Sequence, residues 1–279
     1  MSRVRGGSLQ NQVAVVTGGG WNIGRAIALG FAEAGARVVV AGRTQERLDE
    51  TVALIEAGGG QGLAVVTDVL ELPQVEALAR RTAEHFGPAN VVASVAGGGG
   101  GYEAVDVIDP SWWAHVVNLN LVGTFHTVRA FLPAMRERDS GSFLTCTGGG
   151  GWFPLVGMHA TAYATAKAGI CRLTDQLAVE LWETGMRVNC LQPGLTWDEK
   201  KRTEVEAEEL RTGQRHAERE HNHDPADAAE LALFLVSDES APMTGRSVSV
   251  DEDWWRDRAK VEAVCASQHA YTLRRMELG

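Results

Sequence analysis

Cysteine is scarce in this sequence, and long apolar runs are absent from it. Its 279 residues contain four cysteines, Cys146, Cys171, Cys190 and Cys265, and no two of them have the CxxC spacing typical of metal or redox sites. Three lie in apolar segments, so we expect buried free thiols, and the pattern favours this role over metal binding or disulfide formation. No apolar run reaches the roughly 18 residues of a membrane span, and the N-terminal MSRVRGGSLQNQ has no signal-peptide apolar core. We therefore expect a cytoplasmic protein without a membrane partner.

Positive charge is also in short supply. The 26 Lys and Arg residues face 36 Asp and Glu residues, which gives a formal net charge of -10. A nucleic-acid partner requires a basic surface, so we expect none, although this balance does not exclude one local basic pocket. With 44% hydrophobic residues, the chain can build one large core, and no break in composition divides it. We predict a single domain over residues 1–279, and no metal site.

The most informative stretch is QVAVVTGGGWNIGRAIALGFAEAG, from Gln12 to Gly35. The apolar run Val13 to Val16 ends abruptly at three glycines, and apolar residues at helical spacing follow. This pattern predicts a strand, a tight turn and a helix. Glycines let the backbone approach a ligand closely, and a helix N-terminus attracts phosphate. We interpret the turn as a site for a dinucleotide pyrophosphate, the alternative being a merely tight turn between strand and helix.

Strand-like and helix-like segments alternate along the rest of the chain. The predicted later strands cover residues 37–41, 62–67, 90–94, 142–147, 186–191 and 247–250, and the predicted later helices 45–57, 72–86, 111–135, 162–182 and 226–236. Such alternation with right-handed crossovers predicts an α/β fold with a Rossmann-like, doubly wound parallel sheet of about seven strands and helices on both faces. Ligands bind such sheets beyond the carboxyl ends of the strands. The functional residues should therefore follow the strands.

Several segments, in this order, resemble the classical short-chain dehydrogenase/reductases: Thr17 to Gly24 (TGGGWNIG), Asn120 to Gly123 (NLVG), Tyr163 to Lys167 (YATAK), and Arg187 to Asn189 leading into Pro193 and Gly194. The resemblance covers about residues 12–250, and several ordered motifs are more specific than any single one. It implies an NAD(P)-dependent oxidoreductase acting on a carbonyl or alcohol group of a small molecule. It also implies a homodimer or homotetramer built on the helices that start near residues 111 and 162.

Tyr163 and Lys167 are four residues apart on a predicted helix and therefore share a face. An ammonium group near a phenol favours the phenolate, so we expect the pKa of Tyr163 to lie below its usual value of about 10. Such a tyrosine can exchange a proton with a substrate oxygen while hydride moves between substrate and nicotinamide. The alternative is an ordinary surface pair. By resemblance, Lys167 also holds the nicotinamide ribose, and Asn120 supports a water that relays protons to it; alternatively, neighbours satisfy the Asn120 amide.

The fourth catalytic residue of the family is a serine after the fifth strand, and this chain departs from that pattern. Residues 145–151 read TCTGGGG. Thr147 has a hydroxyl near the expected place, and we predict that it binds the substrate oxygen. Two alternatives stay open: a glycine occupies the position of the serine, or Thr147 merely ends the strand.

Cofactor choice depends on the end of the second strand. An acidic residue there would bind the adenosine ribose, whereas this chain has Gly42 followed by Arg43. A guanidinium pairs well with a phosphate, so we predict NADP (NADPH) in preference to NAD, unless Arg43 is simply a solvated charge. By resemblance, Asp68 meets the adenine amino group, its alternative being a helix cap. The other predicted cofactor-binding residues are Gly18, Gly20, Asn22, Ile23, Gly24, Val69, Ala96, Gly97, Tyr163, Lys167, Pro193, Gly194 and Thr196.

Three further segments surround the expected site. Glycine runs at residues 97–101 and 148–151 suggest a roomy or mobile substrate pocket, or else plain flexible loops. The charged stretch 195–224 is, by resemblance, a mobile lid, and its charges favour a solvent-exposed helix. Tryptophans near a chain terminus, such as Trp254 and Trp255, rarely stay exposed. We therefore predict that the tail, residues 254–279, packs on a neighbouring subunit or closes over the pocket.

Three functions compete at this point. The first is an NADPH-linked oxidoreductase that reduces a ketone or oxidises a secondary alcohol. The second is a catalytically weakened dinucleotide-binding subunit, suggested by the altered serine segment and by Ser94-Val95-Ala96-Gly97 in place of the family's Asn-Asn-Ala-Gly. The third is an enzyme that uses transient hydride transfer for epimerisation or dehydration. Tyr163, Lys167 and Asn120 together favour the first.

Overall fold

A seven-stranded parallel sheet organises the chain, in the order β3-β2-β1-β4-β5-β6-β7. The computed structural model describes residues 8–100, 102–267 and 269–272. The strands are β1 (Val13–Thr17), β2 (Arg37–Gly42), β3 (Gln61–Val66), β4 (Val91–Ser94), β5 (Gly141–Cys146), β6 (Met186–Gln192) and β7 (Ser247–Ser249). The strand order reverses direction between β1 and β4, as in a doubly wound sheet. The prediction of a Rossmann-like parallel sheet is confirmed.

The predicted helices are present, one of them interrupted, and the tail adds a helix, α9, that was not predicted. They are α1 (Asn22–Glu33), α2 (Gln45–Ala57), α3 (Leu72–Phe86), α4 (Pro110–Val117), α5 (Gly123–Arg138), α6 (Thr161–Glu180), α7 (Glu199–Thr212), α8 (Pro225–Val236) and α9 (Arg258–Ala266). The single long helix predicted over 111–135 is divided into α4 and α5 by a π-helical turn, Asn118–Val122. Such turns widen a helix locally and often occur at functional sites.

Apolar strand residues alternate between two cores because successive side chains of a strand point to opposite faces. Val16 and Val40 belong to the core beneath α1, α2 and α8. Val15 and Val39, paired in the β1–β2 register, belong to the core beneath α3, α5 and α6. Helices therefore cover both faces of the sheet, and the strand ends are left as the place for a ligand.

The Arg187–Asn189 motif has a structural role at β6. The Arg187 guanidinium donates to the main-chain oxygens of Leu235, Val236, Ser237 and Met243 and to Ser240 Oγ, over 2.9–3.3 Å. Asn189 Nδ2 donates to the Met243 oxygen at 3.0 Å. These bonds satisfy the last carbonyls of α8, which have no partner within the helix. They fix β6, and thereby its carboxyl end, relative to α8 and β7.

The C-terminal tail packs on its own subunit. Trp254 and Trp255 are each only 6% exposed and belong to the core beneath α8. The Trp255 ring lies 5.4 Å from that of Phe234 on α8, and Arg256 forms an ion pair with Glu230 at 2.8 Å. Trp254 and Trp255 therefore pack on α8 of their own subunit, and no described residue of the tail lines the cavity, so the prediction that the tail closes over the pocket is wrong for residues 254–267 and 269–272. Packing of the tail on a neighbouring subunit stays a prediction. Residues 268 and 273–279 lie outside the described part.

The cysteines match the expectation of buried free thiols. Cys146, Cys171 and Cys190 are buried, Cys265 is partly exposed, and all four are free. In the described ranges, no three or more His, Cys, Asp or Glu side chains are grouped so that they could hold a metal ion. Over those same residues, no helix combines the length and apolar character needed to cross a membrane.

Candidate active site

A cavity of about 570 Å³ lies at the carboxyl ends of the strands, around the reversal between β1 and β4. Ligands of doubly wound sheets generally bind in this crevice, where the strand order reverses. The structure brings most of the predicted residues together in its lining: Gly18, Gly20, Asn22, Ile23, Gly24, Arg43, Asp68, Val69, Ala96, Gly97, Thr147, Tyr163, Lys167, Pro193 and Thr196. Two predicted residues, Asn120 and Gly194, lie behind this lining rather than in it.

The glycine turn after β1 cannot carry side chains at two positions. Gly18 has a φ of +73°, and a Cβ on it would lie 2.9 Å from the Ala96 nitrogen. A Cβ on Gly24 would overlap the Gly18 carbonyl oxygen. The N-cap residue of α1, Trp21, makes no side-chain hydrogen bond to the first turn. The N–H groups at the start of α1 are therefore available to a phosphate in the cavity.

Two arginines line the cavity near the carboxyl end of β2. Arg43 lines the cavity after β2. Arg47, in the first turn of α2, lines it too, and its guanidinium lies 4.4 Å from the centroid of the Trp21 ring. By contrast, Arg25 is held by Glu50 at 2.7 Å and by the Gly20 carbonyl at 2.8 Å. Sequence reasoning missed Arg47 and Trp21. The place of Arg47 in the first turn of the helix that follows β2 is the signal that could have pointed to it.

Asp68 and Val69 contribute to the cavity wall from the turn after β3. Asp68 Oδ1 accepts a hydrogen bond from the Leu70 N–H at 3.0 Å, and the Asp68 N–H donates to Gln74 Oε1 at 2.9 Å. The Val69 carbonyl is bonded to His126 Nδ1 at 2.8 Å. The alternative in which Asp68 caps the next helix is wrong, because the N-cap of α3 is Glu71 and Asp68 stabilises the turn before it. The contact of Asp68 with adenine stays a prediction.

Tyr163 and Lys167 lie on α6, where both side chains reach the cavity. Lys167 is 5% exposed; its Nζ donates to the Cys146 carbonyl at 3.1 Å and lies 5.4 Å from the centroid of the Tyr163 ring. The expected lowering of the Tyr163 pKa is wrong for this arrangement. Burial raises the pKa of Tyr163, and the nearby Cys146 raises it further. Desolvation dominates because the ammonium is directed at the Cys146 carbonyl and lies over the ring.

Asn120 sits in the π-helical turn and is fully buried. Its Nδ2 donates to the Val116 carbonyl at 2.9 Å and to the Gly98 carbonyl at 3.0 Å, while its Oδ1 accepts from the Gly98 N–H at 3.2 Å. The side chain therefore fixes the glycine loop after β4 to α4. This is the alternative in which neighbours satisfy the amide, and the predicted proton relay to Lys167 stays a prediction.

The positions of Thr147 and Gly148 show which residue stands where the family has its catalytic serine. The Thr147 hydroxyl is buried, donates to the Lys167 carbonyl at 2.9 Å, and lies 3.3 Å from Cys171 Sγ. Gly148 is the residue that faces Tyr163, since a Cβ on it would overlap the Tyr163 hydroxyl. The geometry thus favours the alternative in which a glycine occupies the position of the serine. It does not support Thr147 as the group that binds the substrate oxygen, because its proton is already donated to α6.

The glycine runs do not leave the wide space that their sequence suggests. Tyr102 lies against Gly99, and Trp112 lies 3.4 Å from the Cβ position of Gly100. In the second run, Tyr163 covers Gly148 and Leu155 covers Gly149. Only at Gly98 is the Cβ position open among the described members of the first run. The hypothesis of a roomy pocket is therefore wrong beside most of these glycines; Gly101 lies outside the described residues.

Residues 195–224 form a segment whose two ends are joined beside the cavity. The Trp197 N–H donates to Asn222 Oδ1 at 2.7 Å, and the His223 N–H donates to the Leu195 carbonyl at 2.8 Å. Between these ends, α7 is the expected solvent-exposed helix, with Leu210 89% exposed. Gly194, with a φ of +68°, supplies the turn before this segment and packs on His223. Its predicted role as a cofactor contact stays a prediction.

Tyrosine titration gives a direct check on the site. Burial raises the pKa of all three described tyrosines, Tyr102, Tyr163 and Tyr271. A raised pKa keeps a phenol protonated, so we expect less than half of the tyrosine in the folded protein to ionise at pH 10, where a free tyrosine is about half ionised. Ultraviolet difference absorbance measures tyrosinate, with circular dichroism to confirm that the protein is folded. Half-ionisation at or below pH 10 would contradict the buried placement of Tyr163.

The sheet, the uncapped helix N-terminus behind the glycine turn, and the Tyr163–Lys167 pair define a dinucleotide-dependent oxidoreductase. A family model described as "Enoyl-(Acyl carrier protein) reductase" matches residues 19–252. The chain belongs to the short-chain dehydrogenase/reductase family and is an NAD(P)-dependent enzyme that acts on CH–OH or C=O groups.

Named relatives match most of the chain. This chain is 32% identical over 250 residues to the (2S)-[(R)-hydroxy(phenyl)methyl]succinyl-CoA dehydrogenase subunit BbsD of Thauera aromatica, and the alignment covers 87% of this chain and 96% of that protein. Among solved structures, an actinorhodin polyketide ketoreductase variant with NADPH has a TM-score of 0.78 at 28% identity, covering 88% of this chain and 97% of the other. A 3-oxoacyl-[acyl-carrier protein] reductase with bound NAD from Brucella melitensis has a TM-score of 0.77 at 30% identity, covering 88% and 91%.

Proposed function

We propose that this enzyme uses NADPH to reduce a ketone on a small molecule, and in reverse oxidises a secondary alcohol, with Tyr163 as the acid/base group. The observation that carries the proposal is the buried Tyr163–Lys167 pair in the same cavity as the Gly18 turn and Arg43. The glycine positions fit a dinucleotide, because the backbone at Gly18 and Gly24 leaves no room for a Cβ.

The proton chemistry favours the reductive direction. The bound cofactor would supply the hydride to the carbonyl carbon. Tyr163 donates its proton to the carbonyl oxygen, and the raised pKa of Tyr163 means that this proton is present throughout the neutral range. Alcohol oxidation requires the phenolate instead, so we expect its rate to rise with pH. Lys167 would hold the nicotinamide ribose and lies close enough to stabilise the phenolate after proton transfer.

The preference for NADPH is argued from this chain's own residues, since the similar structures carry NADPH in one case and NAD in another. Gly42 and Arg43 stand where an acidic residue would repel a 2′-phosphate. Arg47 adds a second guanidinium to the same wall of the cavity. Among the described residues, no ion pair ties Arg43 or Arg47 to a carboxylate. Both charges can therefore serve a phosphate.

Nicotinamide fluorescence tests the preference by titration with NADPH and with NADH. We expect Arg43→Ala to weaken NADPH binding by about 10-fold to 100-fold, the loss of one charge-assisted contact, and to leave NADH binding nearly unchanged. Arg80→Ala, an exposed arginine on α3, is the matched control and should bind both as the parent does. Equal affinity for both cofactors that is insensitive to Arg43→Ala would overturn the preference. No binding of either would overturn the function.

A screen for carbonyl-dependent oxidation of bound NADPH tests the reaction itself. Suitable probes are cyclohexanone, acetophenone and a 3-oxoacyl thioester, the last because one similar structure is named for that group. Binding without oxidation by any probe would favour the catalytically weakened subunit, which the glycine at position 148 also suggests. A cofactor that co-purifies and is never consumed would favour transient hydride transfer.

We also propose that the enzyme forms a homodimer or homotetramer through α4, α5 and α6. Large apolar side chains are exposed on these helices and just after α6: Trp112 (46%), Phe125 (47%), Val179 (60%) and Trp182 (73%). Exposed apolar side chains gathered on neighbouring helices are typical of an interface.

A further inference from the structure

The Tyr163 hydroxyl is the first donor available to a substrate carbonyl, but one donor is seldom enough. Negative charge develops on the carbonyl oxygen as hydride arrives, and oxyanion sites stabilise such charge with several oriented donors. Thr147 cannot serve, because it donates to the Lys167 carbonyl at 2.9 Å, and Gly148 has no side chain. A side chain at Gly148 would also overlap the Tyr163 hydroxyl. The second donor must therefore come from another element.

Tyr102, in the loop after β4, lies beside Tyr163. The two ring centroids are 6.4 Å apart, with an angle of 64° between the ring planes. The Tyr102 hydroxyl lies against Gly99, which lines the cavity together with Gly97 and Gly98. Tyr102 is not itself in the cavity lining, but its side chain is 45% exposed and lies between two residues that are, Gly99 and Tyr163.

The electrostatics of Tyr102 suit a donor that keeps its proton. Burial and the neighbouring Tyr163 raise the pKa of Tyr102, and a main-chain bond from Gly100 and the Lys167 charge lower it only in part. A main-chain bond that lowers a phenol pKa comes from an N–H group, so Gly100 donates to the Tyr102 oxygen. A hydroxyl that accepts one bond still has its own proton to donate.

The glycines of this loop are what allow the placement. A Cβ on Gly99 would overlap the Tyr102 hydroxyl. Gly100 has a φ of +147°, in the region that favours glycine. The Asn120 amide fixes the same loop through both main-chain groups of Gly98. The run thus positions Tyr102, whereas the sequence suggested a roomy or mobile pocket or plain flexible loops.

We propose that Tyr102 donates a second hydrogen bond to the substrate carbonyl oxygen and takes the part that the serine plays elsewhere in the family. This inference rests on the proposed function. The carbonyl carbon gains the hydride that NADPH supplies, the π electron pair moves to oxygen, and that oxygen takes the Tyr163 proton. Tyr102 transfers no proton; it stabilises the charge that builds up before the Tyr163 proton arrives.

The three described tyrosines provide the experiment, each changed to phenylalanine and assayed with NADPH and whichever carbonyl probe the parent enzyme reduces. We expect Tyr102→Phe to lower kcat by about 100-fold with little change in KM, because a charge-stabilising donor acts in the transition state. NADPH affinity should not change. Tyr271→Phe, in the tail, is the matched control and should keep parental kinetics, since its ring stacks on Trp254.

A second variant tests whether the loss in Tyr102→Phe comes from the missing hydroxyl or from a change in the loop that this one substitution causes. Gly99→Ala should displace the Tyr102 hydroxyl and lower kcat similarly, and adding Tyr102→Phe to it should cause little further loss. Parental kcat in Tyr102→Phe, together with an inactive Tyr163→Phe, would overturn this inference alone. Activity that persists in Tyr163→Phe would overturn the proposed function. A rise in KM at parental kcat would make Tyr102 a substrate contact without a catalytic part.

Discussion

Tyr163→Phe should reduce kcat for carbonyl reduction by about 10²-fold to 10⁴-fold, the range that general acid catalysis contributes. The substitution removes one oxygen and leaves the ring that packs over Lys167 Nζ and beside Tyr102. NADPH affinity should stay within a few-fold of the parent, because the phosphate-binding turn and Arg43 lie on other elements. Stopped-flow oxidation of bound NADPH measures the chemical step, and nicotinamide fluorescence measures binding.

The pH dependence separates a lost acid from a damaged site. In the parent, the raised pKa of Tyr163 keeps the donor protonated, so the reduction rate should not fall as the pH passes the usual tyrosine value of about 10. In Tyr163→Phe, the residual rate should fall as the pH rises, because only solvent can then provide the proton. Parental kcat in the variant would show that another group supplies the proton.

The fold could be predicted from the sequence because its signals are local. Buried parallel strands such as Val13–Thr17 and Arg37–Gly42 are continuous apolar runs, and glycines or charged residues end them abruptly. The positions after those strands follow from the topology alone, which is why the sequence placed Arg43, Asp68 and Ala96 at one cavity. Neither step requires knowledge of how side chains pack.

The parts that sequence reasoning missed depend on packing between distant segments. The direction of the Thr147 hydroxyl is set by the Lys167 carbonyl, twenty residues away. The pKa of Tyr163 is decided by burial, which competes with the charge of Lys167 and is not visible in a four-residue spacing. Tyr102 lies beside Tyr163 because Gly99, which has no side chain, leaves room for the Tyr102 hydroxyl. A lone aromatic residue after a glycine run is the weak signal that could have found it.

The position of the tail also depends on packing between distant segments. Two adjacent tryptophans predict burial, but the sequence does not identify the surface on which they pack. Trp255 packs on Phe234 of α8, lies under the Arg256 guanidinium at 3.8 Å from the ring centroid, and donates from Nε1 to the Glu252 carbonyl at 2.8 Å. Trp255→Ala should therefore lower the free energy of unfolding by about 3–5 kcal/mol, the usual cost of removing a buried large aromatic side chain. Urea denaturation followed by circular dichroism measures this loss.

Leu210→Ala is the control for that measurement, since Leu210 is 89% exposed on α7 and its loss should change the free energy of unfolding by less than about 0.5 kcal/mol. Because the contacts of Trp255 lie within one subunit, the difference between Trp255→Ala and the parent should not depend on protein concentration. A difference that disappears on dilution would place the tryptophan in an interface between subunits instead. Catalysis per folded molecule should be retained, because Trp254 and Trp255 pack on α8 and lie outside the lining of the cavity that holds Tyr163.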